Sequence, residues 1–163
     1  MAEYRNMGTF FIPSGHAVIT DPCYEDSRLW TQVDAEGAYD LWLAYYDGSW
    51  GRRVTALYAV KNGYAARGHD LECLDAREIG GAGVDSGQMC ICDSESFSQD
   101  LYDIMGNLTL SDAQGGVFDG GGVSASGCGD GVYPVYELLY RGDTVGWEVD
   151  FLYEQEEEDE EDW

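Results

Sequence analysis

The chain has 163 residues, 44% of them hydrophobic and 13% aromatic, with 32 Asp and Glu against 8 Lys and Arg for a formal net charge of -24. A field of that sign and size repels nucleic acid, anionic membranes and acidic ligands and draws in basic protein surfaces, so direct nucleic-acid binding is excluded as a function class. The aromatic content excludes a wholly disordered chain, and no apolar run approaches the roughly 20 residues that span a bilayer.

In chain order, Thr9–Ile12 and His16–Ile19 flank Pro13-Ser14-Gly15 and predict a tight β-hairpin. Asp21-Pro22 ends its second strand, because proline removes a donor and restricts the residue before it. Tyr39–Tyr46 and Val54–Val60, joined by Asp47-Gly48-Ser49-Trp50-Gly51, predict a second antiparallel pair. Residues 62–83 carry little pattern and read as loop, and Met89–Cys92 reads as a further strand. Phe97, Leu101, Ile104, Met105 and Leu108 recur at helical spacing, which predicts a helix over Phe97–Met105. Ser96 with Gln99 resembles a capping box for it, and Gly106-Asn107 a stop.

Val132–Tyr140 and Val145–Tyr153 predict a hairpin around Arg141-Gly142-Asp143-Thr144. In its second arm Val145, Trp147, Val149 and Phe151 alternate with Gly146, Glu148, Asp150 and Leu152, placing the apolar set on one face and the two acids on the other. The stretch from Glu154 to Asp162 then holds eight acids and one glutamine. The predicted fold is mainly β (α+β): antiparallel sheets in a sandwich or open barrel, one amphipathic helix, and a disordered acidic C-terminal tail. Residues 1–153 form a single globular domain and 154–163 the tail in this reading. The tail does not account for the charge, because the body keeps 24 acids against 8 bases.

No secretory signal is visible, and the five cysteines (Cys23, Cys73, Cys90, Cys92, Cys128) are odd in number and irregularly spaced, so the expected setting is cytoplasmic with reduced thiols. Cys90 and Cys92 share a strand face, but no paired C-x-x-C knuckle supports zinc, and they read better as small buried hydrophobes. The glycines at 120–122 and in Ser126–Gly131 lack the following lysine and helix of a phosphate loop and read as β-turns. Calcium spacing is absent around Asp119, Asp130, Asp85 and Asp21. Neither His16 nor His69 sits in a nucleophile motif, and Arg141-Gly142-Asp143 reads as a hairpin turn. No cofactor, metal or catalytic residue is expected, and a binding role is favoured over an enzymatic one.

Three segments, Ser14–Tyr24, Gly83–Gln88 (with Val84-Asp85-Ser86-Gly87-Gln88) and Ser126–Tyr136, together resemble a family of small proteins found in phages, prophages and bacteria. The resemblance covers most of the chain to about Phe151 and brings no activity and no catalytic residues with it. It implies a mobile-element setting, where small acidic proteins often block host defence machinery, and hence the host cytoplasm.

The leading expectation is therefore an inhibitor, of anti-CRISPR or anti-restriction type, that binds the basic nucleic-acid-holding surface of a host protein. Its carboxylates stand in for phosphates, and its tyrosines and tryptophans anchor the interface. The acids expected to face outward are Glu137, Glu148 and Asp150, with Asp34, Glu36, Asp40, Asp47, Asp70, Glu72, Asp75 and Glu78 in the first half. A second expectation is a small-ligand or nucleotide site on a rim formed by Asp21, Asp85 and Asp130, against which stands the ordinary use of Asp to cap turns. A third is a soluble accessory protein whose acidity serves solubility alone. Oligomeric state is left open.

Overall fold

A computed structural model describes residues 3–22, 29–30, 36–49, 51–95, 101–127 and 130–151. Asp34, Cys23, Cys128, the Ser96–Gln99 cap and the acidic stretch after Phe151 lie outside the described residues. In order, the elements are β1 (Glu3–Ile12), β2 (Ala17–Thr20), β3 (Leu29–Trp30), β4 (Gly37–Gly48), β5 (Gly51–Lys61), a 3-10 helix (Gly68–Cys73) and β6 (Asp75–Val84). There follow β7 (Gln88–Asp93), α1 (Tyr102–Thr109), β8 (Gly115–Phe118), β9 (Gly121–Ala125), β10 (Gly131–Tyr140) and β11 (Asp143–Asp150). One sheet has six strands in the order β1-β4-β5-β11-β10-β6 and the other five in the order β3-β2-β7-β9-β8, with all pairings antiparallel. The mainly β, α+β sandwich expected from the strand pattern is what the chain forms.

The sheets pack face to face through alternating apolar residues. Tyr39, Leu41, Leu43 and Tyr45 of β4, Leu57 of β5 and Trp147 and Val149 of β11 meet Ala17, Ile19, Met89 and Ile91 of the second sheet. The glycines of β9 permit this approach: a Cβ on Gly122 would fall 2.4 Å from Leu41 Cδ1. So Gly121 and Gly122 are strand residues, Gly122 at the contact between sheets and Gly121 against Cys92 on the neighbouring strand. Of the three glycines at 120–122, Gly120, at φ +96°, serves a turn.

The β4–β5 and β10–β11 pairs match their sequence reading. Arg141 and Gly142 both take positive φ, 52° and 85°, the combination that suits a two-residue hairpin to strand twist. The first predicted hairpin does not form. β1 pairs with β4 in one sheet while β2 pairs with β3 and β7 in the other, so Pro13-Ser14-Gly15 carries the chain between layers. Asp93 holds this crossover: its carboxylate accepts the Ser14 N–H at 2.9 Å and the Glu95 N–H at 2.8 Å.

Residues 75–83, part of the 62–83 stretch read as loop, belong to edge strand β6 (Asp75–Val84), which pairs with β10. The described helix runs to Thr109, straight through the expected stop at Gly106-Asn107. Its Met105 and Leu108, with Leu101 just before it, pack on Val18, Cys90, Cys92, Val123 and Phe118, so the two cysteines are small buried groups beneath α1.

Candidate functional site

The outer face of the six-stranded sheet concentrates the unusual chemistry. Directly opposed residues of antiparallel strands share a face, so the pairings Asn6–Trp42, Trp42–Tyr58, Tyr58–Glu148, Glu148–Tyr136 and Tyr136–Glu78 define one rung across all six strands. The neighbouring rung carries Tyr4, Ala44, Ala56 and Asp150. Over the β1–β5 side of this face lies the segment between β5 and β6. Its Ala65, Leu71 and Leu74 pack with Trp42, Ala44, Ala56, Tyr58 and Tyr4 into a second apolar cluster. The 3-10 helix sits so close to β1 that a Cβ on Gly68 would fall 2.1 Å from Tyr4 Cβ.

This cover encloses a line of polar groups. The Tyr4 hydroxyl donates to Glu72 Oε1 at 2.7 Å, and the Tyr4 and Tyr58 rings pack with centroids 6.2 Å apart. Tyr58 in turn bonds the Glu148 carboxylate. Burial, and then the neighbouring Asp150 charge, push Glu148 up to about 7, against the pull of the Tyr58 hydrogen bond. Burial also raises Tyr4, to about 12, and raises Tyr58, both assisted by nearby carboxylates. The result is a partly buried carboxyl that exchanges its proton near neutrality, set between two tyrosines. Such a group can hold a cation, or take up a proton, in the physiological range.

The acids predicted to face outward divide into several kinds. Glu36, Asp47, Glu72, Asp75 and Glu78 are exposed. Asp47 pairs with Arg52 Nε at 3.3 Å. Asp70 caps the 3-10 helix, accepting the N–H groups of Ala66 at 3.0 Å and Arg67 at 2.9 Å, and these backbone donors hold its carboxyl below the usual value. Glu148 and Asp150 lie on the face opposite the core, as their alternation indicates, but they are partly buried.

Two expectations fail. Asp40 is buried at 6% exposure, where it accepts the Thr9 hydroxyl at 2.7 Å and the Asn62 amide at 3.0 Å across strand ends. Glu137 is buried at 5%, because Arg77 on the paired strand reaches it at 2.6 Å and the Thr144 hydroxyl donates to it at 2.6 Å. Both are acids whose hydrogen-bonding needs are met inside the fold, and neither belongs to the presented surface.

The three rim aspartates do come to one end of the β6–β10 pair. Asp85 follows Val84, which pairs with Gly131, next to Asp130. Asp21 is fully buried, and its carboxylate accepts the N–H groups of Asp85 and Ser86, both at 2.7 Å, and the Ser86 hydroxyl at 2.6 Å. It therefore locks the 85–87 turn, while Asp85 and Asp130 remain exposed. Among the described residues no three His, Cys, Asp or Glu side chains are arranged to hold a metal ion, and no helix is long and apolar enough to cross a membrane. The sequence pointed to Glu148 and Asp150 by alternation but carried no sign of Tyr4, Tyr58 and Tyr136 as their companions, since those neighbours arise from strand register. No protein-family model, curated protein or solved structure matches the chain.

Proposed function

We propose that this chain is an acidic binding protein of mobile-element type that inhibits a host defence protein by covering its basic, nucleic-acid-holding surface. The observation that carries the reading is the placement of carboxylates on a rigid sheet. Glu78, Glu148 and Asp150 stand beside Tyr136 on the outer face of the six-stranded sheet, with Glu72 on the covering 3-10 helix nearby. Carboxylates at strand spacing on a packed scaffold offer fixed negative charge at little ordering cost, and tyrosines supply contact area with few rotamers. The formal charge of -24 steers a basic partner toward this face from a distance. The resemblance in the Asp21-Pro22, Val84–Gln88 and Ser126–Tyr136 segments supports the phage-related setting and the host cytoplasm as the place of action.

The test is capture of partners from a bacterial host lysate on immobilised protein at about 50 and about 300 mM salt, a range over which long-range steering is strongly screened. The expected result is a basic nucleic-acid-handling protein retained at low salt, largely lost at the higher salt, and displaced by DNA or RNA. Capture that ignores salt and nucleic acid overturns the reading. Removing residues 154–163 in the same experiment separates the contribution of the acidic stretch from that of the sheet.

A further inference from the structure

We propose that the Glu148–Tyr136 pair on the outer face of the six-stranded sheet is a binding site for an arginine side chain. Its guanidinium is held by the Glu148 carboxylate and lies against the Tyr136 ring, with Tyr58 on the covered side holding the carboxylate in place. The inference rests on the reading above for the partner being a basic protein.

The strip Tyr58–Glu148–Tyr136 places a carboxylate between two tyrosines on adjacent strands in direct register, Tyr58 on β5 and Tyr136 on β10. Adjacent strands lie about 4.8 Å apart, so a flat cation bonded to the central carboxylate falls within reach of the Tyr136 ring, while Tyr58 is covered. Arginine matches this geometry better than lysine, because its planar guanidinium offers paired donors to a carboxylate and an aromatic-like face to a ring. The chain uses the same chemistry elsewhere with its own arginines. Glu137, the other enclosed glutamate, is met by Arg77 at 2.6 Å, and Arg52 lies 4.6 Å over the Tyr45 ring while pairing with Asp47 and Glu3. Glu148 has no such arginine or lysine among the described residues.

Burial and a neighbouring carboxylate disfavour the charge of Glu148. Asp150 on its own strand repels it, and Glu78 on β6 and Glu72 on the 3-10 helix stand beyond Tyr136 and Tyr4. The Tyr58 hydroxyl favours the ionised form. The cost of enclosing this acid is offset by no basic group among the described residues, and an incoming cation would supply what Arg77 supplies to Glu137. Tyr136 and Asp150 are only partly buried, which leaves the β10 side of the strip open, whereas the β5 side is closed over by the 3-10 helix.

The test titrates capped tetra-arginine and tetra-lysine peptides into the full chain at pH 6 and pH 8, with His16 and His69, its two histidines, replaced by Gln. The Trp42 indole N–H, on the same rung, serves as the NMR reporter. Arginine binding requires Glu148 to be ionised, so with that carboxyl near 7 the affinity should rise about tenfold from pH 6 to pH 8. Glu148→Gln should lower the affinity for tetra-arginine and remove the rise with pH. Tyr136→Leu should weaken binding and keep the rise, and tetra-lysine should bind less tightly than tetra-arginine.

Unchanged affinity and pH response in Glu148→Gln overturns the proposal, as does equal binding of the two peptides. Should Glu148→Gln not fold, an unchanged affinity in Tyr136→Leu overturns it instead. A basic partner that Glu148→Gln captures as well as the wild type defeats this site and leaves the broader function standing. Glu148-dependent binding of tetra-arginine with no partner captured does the reverse.

Discussion

Replacing Glu148 with glutamine should stabilise the protein, and by an amount that grows with pH. The carboxyl is raised from 4.5 to about 7, first by burial and then by Asp150, so between those values the folded chain binds more protons than the unfolded chain. Stability must then fall as pH rises through that window. The contribution is fully present below about 4.5 and lost above about 7. At ~1.4 kcal/mol for each tenfold change in proton affinity the difference is ~3 kcal/mol, and partial solvent access reduces it to ~2 kcal/mol.

Glutamine keeps the shape and still accepts the Tyr58 hydrogen bond, but it has no charge to enclose. The variant should match the wild type within about 0.5 kcal/mol at pH 5 and exceed it by ~2 kcal/mol at pH 8, with a Tm gain of ~4–8 °C. Repulsion among the remaining carboxylates also erodes stability as pH rises, but it is common to both proteins and cancels in the comparison. Urea unfolding of both proteins followed by tryptophan fluorescence at pH 5, 6, 7 and 8 gives the four differences. A gap that does not widen with pH, or a variant less stable than wild type at pH 8, would refute the reasoning.

Other substitutions probe the rest of the structure. Arg77→Ala leaves the buried Glu137 carboxylate with Thr144, and should cost about 1–3 kcal/mol in urea unfolding at pH 7; a loss under about 0.5 kcal/mol would show that the arginine is dispensable. Gly122→Ala should cost about 1–3 kcal/mol by driving a methyl into Leu41, and Leu41→Ala added to it should cost less than the two losses together; strict additivity would mean the glycine is not there for the sheet contact. Asp21→Ala should remove about 2–3 kcal/mol and speed amide hydrogen exchange at Asp85 and Ser86, while Asp85→Ala should stay within about 0.5 kcal/mol. Equal effects of the two would instead make the rim a unit.

Strands with a strong period of two are legible in the amino-acid sequence alone. The second arm of the 132–150 hairpin alternates because one face buries against the other sheet. Tyr39–Tyr46 and Val54–Val60 are instead legible as aromatic and β-branched runs bounded by turn residues, and they bury side chains on both faces. β6 is not legible in this way. Its Glu78-Ile79-Gly80-Gly81 stretch has neither alternation nor apolar weight, and it is a strand only because β10 supplies a hydrogen-bonded partner along its length. The helix boundary differs for a similar reason. Gly106-Asn107 reads as a stop, yet packing of Met105 and Leu108 on the second sheet carries the helix past it. Even within the clearest hairpin, the irregular register between Leu138 and Leu139 turns Val145 to the outer cluster and away from Trp147 and Val149.

Composition and alternation by themselves determined the charge, the β class, the core-facing Trp147, Val149 and Phe151 at the C-terminal end and the side of β11 on which Glu148 and Asp150 stand. These are local properties, because charge is additive and a strand's two faces follow from the pleat. Only the tertiary structure decided which acids are presented. Asp40 and Glu137 are drawn inside by Thr9, Asn62, Arg77 and Thr144, Asp21 is committed to a turn 64 residues away, and Glu148 gains its tyrosines from β5 and β10. Each of those outcomes depends on register between strands distant in sequence, and a carboxylate's burial and proton affinity are set by such neighbours rather than by its own place in the chain.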